Sequence, residues 1–284
     1  MTKLTGNTDL SESLLSNHKP VILETQGLTR YFGKAAAVNN LSITVEQGEV
    51  FGLLGPNGAG KSTAIKMLTT LLPLSTGSAT IAGYDVTHQS AQVRRLFGYV
   101  PQALSADGSL TGYENLLIFA KLYDIPAKYR QRRIKEVLDF MGLQAAAHRL
   151  VRNYSGGMIR KLEIAQSIMH HPKILFLDEP TVGLDPIART QVWQLVEQLR
   201  VDYDTTIFLT THFLEEADNL CSRVAIMQQG QVVTKGAPNE LKASLGKPNA
   251  TLDDVFIHYT GDQITSGVSY RDTARTRRTA QRLG

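Results

Sequence analysis

VFGLLGPNGAGKSTAIKMLTTLL, residues 50–72, is the stretch that decides the fold. Its first five residues form a short apolar run, set off by the turn residues at 47–49, and read as a strand buried on both faces. Residues 62–72 read as a helix stopped by Pro73. Between them GPNGAGKS, residues 55–62, fits G-x-x-x-x-G-K-[ST] in the strand–loop–helix setting that this pattern requires. The glycines let successive backbone N–H groups turn inward around a phosphate, and the helix start adds a favourable dipole. Lys61 would reach β and γ oxygens, and Ser62 would offer a hydroxyl to Mg²⁺. The expected nucleotide-binding loop is therefore Gly55, Pro56, Asn57, Gly58, Ala59, Gly60, Lys61, Ser62 and Thr63. A plain glycine-rich turn is the competing reading, which the flanking strand and helix disfavour.

Such a loop needs a carboxylate from a neighbouring strand to hold the metal. ILFLDE, residues 174–179, supplies one: four apolar residues of a buried strand, then Asp178 at the end where parallel α/β sheets bind ligands. Glu179 follows at once. With Asp178 ordering the metal, Glu179 is placed to polarise a water in line with the γ-phosphate. Without the glycine-rich loop, the pair would read as a solvated turn.

Around these motifs, strands alternate with amphipathic helices. Helices are expected at 113–122, 129–141, 158–169, 187–201, 214–220 and 240–245, and strands at 78–81, 174–177, 206–210 and 224–228. An apolar cluster at Val255, Phe256 and Ile257 closes the pattern. The α/β order predicts a parallel sheet with covered faces, into which a mostly helical block at about 101–157 is inserted. Residues 1–20, rich in Ser, Thr and Asn, are expected to be a flexible extension and not a signal peptide or anchor. Residues 21–240 form the main domain, 241–270 a C-terminal extension and 271–284 a basic flexible tail.

Composition bounds the partners. The 284 residues are 42% hydrophobic, yet no apolar run approaches the roughly eighteen residues that cross a bilayer. The lone Cys221 cannot form an internal bridge, and no Cys/His cluster has zinc spacing, which excludes a disulfide scaffold and fits a reducing cytoplasm. The pI near 9.1 looks like a nucleic-acid signal until the charges are located. Residues 271–284 hold five arginines against one aspartate, which is the whole of the net +4. The first 270 residues balance to zero, so nucleic acid is an unfavoured partner.

The ordered motifs resemble the ATP-binding-cassette (ABC) ATPases over about residues 21–240. Asn153-Tyr154-Ser155-Gly156-Gly157-Met158 resembles the signature loop, and Gln102 after Tyr99-Val100-Pro101 the Q-loop. Gly183-Leu184-Asp185 resembles the D-loop. Thr211-His212, followed by Glu215 and Glu216, resembles the H-loop, and Tyr31 stands where the family stacks adenine. The resemblance implies a P-loop NTPase core with a parallel sheet, an antiparallel β subdomain and an inserted helical subdomain. It implies ATP and Mg²⁺, with Glu179, His212, Gln102 and Lys61 as catalytic residues and Ser62, Gln102 and Asp178 at the metal. Tyr31, Ser155, Gly156, Gly157 and Asp185 join the loop residues in holding nucleotide. Each has a plainer reading: Tyr31 as an ordinary strand aromatic, His212 as a strand-end histidine, Gln102 as a loop amide, Ser155 as a simple N-cap.

In the family, two such domains pack head to tail, and the nucleotide on one P-loop is closed by the signature loop of the other. The resemblance thus implies a second copy as partner, together with a separate integral membrane permease that would hold the chain on the inner face of the cell membrane. The segments at 109–116 and 251–256 resemble the daunorubicin-resistance and multidrug-export branch. Met158 stands where the commonest signature has Gln. The expected activity is ATP hydrolysis that drives export through the permease. The other readings are a soluble ABC ATPase acting on nucleic acid or ribosomes, and a nucleotide-sensing regulator, which the intact Glu179 and His212 disfavour.

Overall fold

The computed structural model describes residues 19–261. The chain opens with strands β1 (Val21–Phe32), β2 (Ala35–Leu41), β3 (Thr44–Glu46) and β4 (Val50–Leu54), then helix α1 (Lys61–Leu68). Next come β5 (Thr76–Ile81), β6 (Tyr84–Asp85), α2 (Ser90–Arg94) and β7 (Phe97–Val100). Helices α3 (Gly112–Leu122), α4 (Ala127–Phe140) and α5 (Gly156–Ser167) follow, linked between α4 and α5 by two short 3₁₀ turns. The remainder is β8 (Ile174–Asp178), α6 (Pro186–Asp202), β9 (Thr206–Thr211), α7 (Leu214–Leu220), β10 (Arg223–Gln228), β11 (Gln231–Gly236), α8 (Pro238–Ser244) and α9 (Leu252–Thr260).

Two sheets result. One runs β2-β1-β5-β6 with β3 also on β1, and every pairing is antiparallel. The other runs β11-β10-β4-β9-β8-β7, parallel from β10 to β7, with β11 added antiparallel at the edge. Period-two alternation splits the strands of the second sheet between two cores. Val50, Leu54, Leu175, Leu177, Ile207, Leu209, Val224 and Ile226 face a core shared with α5, α6, α7 and the inserted helices. Their neighbours Phe51, Leu53, Ile174, Phe176, Phe208, Ala225 and Met227 face α1 and the antiparallel sheet. On that face Phe208 stacks on Phe51 with centroids 5.5 Å apart and lies 5.5 Å from Phe176, joining β4, β9 and β8. Each such side chain adds about 1.5–3 kcal/mol by leaving water, so the sheet that carries the site is packed on both faces.

The expected strand at 50–54 is buried at every position. The helix expected at 62–72 ends earlier, at Leu68. Thr69 donates its hydroxyl to Ile65 O at 2.8 Å and Thr70 takes φ 60°. The amides of Thr70 and Leu71 then bond to Met67 O and Lys66 O, a Schellman ending reached well before Pro73. The carboxylate strand is not the immediate neighbour of the glycine-loop strand, because β9 lies between β4 and β8. Val255 and Phe256 are buried in the core where α9 packs on α7, α8 and β11, but Ile257 is 40% exposed on the outer face of α9. The expected extension up to residue 18, the end of the C-terminal extension and the basic tail lie outside the described residues. Among the described residues no helix is long and apolar enough to cross a membrane.

Candidate active site

The C-terminal ends of β4, β9, β8 and β7 lie side by side, and each delivers part of the site. The chain leaves β4 into residues 55–60 and enters α1 at Lys61. Gly60 takes φ 105°, and a Cβ there would stand 2.3 Å from Ala37 O, so only glycine closes the loop against β2. Lys61 is 4% exposed, and its ammonium donates to Gly55 O (2.8 Å) and Pro56 O (3.1 Å) and pairs with Glu179 Oε1 at 3.1 Å. Ser62 Oγ donates to Asp178 Oδ1 at 3.0 Å. The β9 residue Thr210 donates to the same Asp178 oxygen at 2.6 Å, which is how the intervening strand joins the site.

Glu179 stands in the left-handed region at φ 50°, a conformation that costs a non-glycine residue roughly 1 kcal/mol. Thr210 stabilises that turn, because the Glu179 amide bonds to both its carbonyl and its hydroxyl at 3.1 Å. The Glu179 side chain meets Lys61 through Oε1 and, through Oε2, His212 Nδ1 at 3.1 Å and Gln102 Nε2 at 3.3 Å. Burial opposes its ionisation, but the hydrogen bond with His212 and the charge of Lys61 outweigh it and hold the carboxyl below its usual range. Tyr99 is pushed up to about 12 by burial and by the charge of Asp178.

A cavity of about 320 Å³ opens over these groups, lined by Ala37, Asn57, Gly58, Gly60, Lys61, Ser62, Thr63, Gln102 and Glu179. The sequence-derived set Lys61, Ser62, Gln102, Asp178, Glu179 and His212 is thus brought together. Tyr31 is 45% exposed on β1 and pairs with Ala36, beside the wall residue Ala37, without lining the cavity itself. Ser155, Gly156, Gly157 and Asp185 form a separate group where the starts of α5 and α6 abut. Ser155 Oγ accepts from Met158 N at 3.3 Å and Asp185 Oδ1 from Ala188 N at 2.9 Å. A Cβ on Gly157 would come within 2.9 Å of the Ala188 Cβ, so these two helix starts touch.

Ala37 and Thr210 escaped the sequence reading. Thr210 had a usable signal, a polar residue where β9 leaves an apolar run; Ala37 had none. Glu216 is buried, accepts from Thr181 Oγ1 (2.8 Å) and Trp193 Nε1 (3.0 Å), and joins the turn after Glu179 to α6 and α7.

A lysine in a glycine-rich strand-to-helix loop, an aspartate on its following serine and a glutamate beside both define a P-loop nucleoside triphosphatase. Residues 38–182 match the ABC transporter family, and the chain belongs to that family as an ATP-binding, ATP-hydrolysing subunit. The daunorubicin/doxorubicin resistance ATP-binding protein DrrA of Streptomyces peucetius is 47% identical over 224 residues, covering 79% of this chain and 68% of that one. The Nod factor export ATP-binding protein I of Sinorhizobium fredii is 38% identical, covering 84% of this chain and 69% of its own. A solved ATP-binding subunit of an ABC transporter superposes with a TM-score of 0.75 at 28% identity, over 84% of this chain and 99% of that structure.

Proposed function

We propose that this chain hydrolyses ATP at the cavity over Lys61 and Glu179 and thereby drives export through a separate membrane permease. The convergence of Lys61, Gln102, Asp178, Glu179 and His212 at the ends of adjacent strands carries the reading. The loop amides and Lys61 bind the phosphates. Because Lys61 already bonds Gly55 O, Pro56 O and Glu179, a γ-phosphoryl oxygen must take over part of that set. Its natural exchange partner is Glu179, whose carboxylate is then released toward an attacking water. Ionised where it stands against Lys61 and His212, it is a carboxylate that can accept the proton of that water. Gln102 and His212 hold Glu179 from the other side and contact the transferring group once Glu179 turns to the water.

Ser62 Oγ, Asp178 and Gln102 fit Mg²⁺, since Ser62 and Asp178 already meet at 3.0 Å and all are oxygen donors of the hard type that this ion takes. The bound ion would neutralise charge on the β and γ oxygens.

Ser155, Gly156, Gly157 and Asp185 stand outside this cavity; the α5 start is suited to an anion, while the Asp185 carboxylate already caps α6. We assign them to the nucleotide on a second copy of the chain, so that ATP closes a homodimer and hydrolysis reopens it, with Tyr31 stacking on adenine. The permease then holds the pair at the inner face of the cell membrane. Glu179→Gln tests the assignment. ATP affinity by calorimetry should stay within about threefold, while turnover falls by about 10²-fold or more. Unchanged turnover would remove Glu179 from the chemistry.

A further inference from the structure

Helix α5 carries a strip of polar side chains, Arg160, Glu163 and Gln166, that are only 2%, 2% and 3% exposed. They lie at i, i+3 and i+6, one face of a helix. Burying an arginine and a glutamate costs several kcal/mol per ion unless each is fully partnered. These side chains reach one segment, the residues 101–107 that follow β7 and carry Gln102. Arg160 donates from Nη1 to Pro101 O at 2.8 Å and from Nη2 to Gln102 O at 3.1 Å, and it pairs with Glu163 Oε2 at 3.0 Å. Glu163 Oε1 accepts from the Ser105 amide and from Ser105 Oγ. Gln166 donates to Asn115 Oδ1 at 3.1 Å, and Asn115 accepts from Asp107 N and donates to Asp107 O, both at 3.0 Å.

Gln166 thus holds Asp107 through Asn115 of α3, while Arg160 and Glu163 hold the carbonyls of Pro101 and Gln102 and the amide of Ser105 directly on α5. The same helix begins at Ser155–Gly157. At its other attachment, Gln102 has its carbonyl on Arg160 and its side-chain amide on Glu179 Oε2 at 3.3 Å. We propose that the Arg160–Glu163 pair is a positioning device that makes Gln102 and the Ser155–Gly157 helix start move as one body. A partner molecule that engages the start of α5 therefore sets where Gln102 stands at this chain's own Glu179. The inference rests on the roles given above to Gln102 and Ser155.

A double-mutant cycle on the full-length chain tests it, with turnover, ATP affinity and amide hydrogen exchange as readouts. Arg160→Gln should lower turnover about tenfold with ATP affinity within about twofold, and in a Gln102→Ala background the same change should cost less than about twofold. Arg160→Lys, which keeps the charge and one donor, should recover part of the loss. Exchange across residues 103–107 should rise at least about tenfold in Glu163→Gln, while α1 stays protected. Equal losses in both backgrounds would make the pair merely structural and overturn the proposal. So would unchanged exchange at 103–107, or a Gln102→Ala chain that turns over at the parent rate. A parent chain without ATP turnover would defeat the functional reading instead, while the exchange measurement still decides whether the clamp exists.

Discussion

Thr210 shows how much of the chemistry rests on a residue that touches no phosphate. One hydroxyl supports Asp178 and the strained turn at Glu179 together. Thr210→Val keeps the shape and removes that oxygen. It should cost about 1–3 kcal/mol in denaturant melts and raise the Mg²⁺ concentration needed for half-maximal turnover. An unchanged Mg²⁺ requirement would separate Thr210 from the metal ligands. Glu216 offers a pH test. Burial raises its pKa, against hydrogen bonds from Thr211, Thr181 and Trp193. The folded state therefore favours its protonated form, and its contribution to stability is complete below the unfolded pKa and is lost as pH rises through the folded one. Glu216→Gln, which cannot ionise, should gain stability relative to the parent as pH rises above the ordinary carboxylate range, read as a widening difference in melting temperature. At this scale the sequence was readable where chemistry demands a particular side chain, as at Lys61, Asp178 and Glu179. It was silent at Ala37, whose only contribution is backbone and bulk.

Elements were legible where hydrophobic period and local chemistry agree. The buried strands β4 and β8 follow from apolar runs and β9 from its β-branched and apolar residues, while α3, expected from 113, starts at Gly112 behind a Thr111–Glu114 capping box. The edge strand β11 was not read, because QVVTKG mixes polar and apolar residues and is only half buried. Its one signal is the Gln229-Gly230 turn, with φ 49° and 83°, the sign a tight hairpin needs. The end of α1 was misplaced because Thr70, a β-branched residue, occupies the left-handed position that glycine normally takes. Thr70→Gly should relieve that strain and stabilise the chain by about 0.5–1 kcal/mol in urea melts, offset in part by the lost bond from Arg94 to its hydroxyl. A destabilised variant would mean that the Arg94 contact outweighs the backbone strain.

For the whole molecule, the order of strands is what a linear reading cannot supply. Asp178 and the glycine loop meet although β9 separates their strands, and Gln102 arrives from the far side of β8. The phenylalanine row across β4, β9 and β8 holds that arrangement, and Phe208→Ala should cost about 3–5 kcal/mol with loss of cooperative melting at the site. The same assembly leaves Ser155–Gly157 and Asp185 outside the cavity lined by the other motifs, and the proposal above makes the two groups complementary halves of a site completed by a second copy. Sedimentation of the Glu179→Gln chain with saturating ATP and Mg²⁺ tests that claim most directly. A particle of twice the chain mass is expected, reverting to single chains in Ser155→Arg. Single chains at saturation, with ATP demonstrably bound, would contradict it.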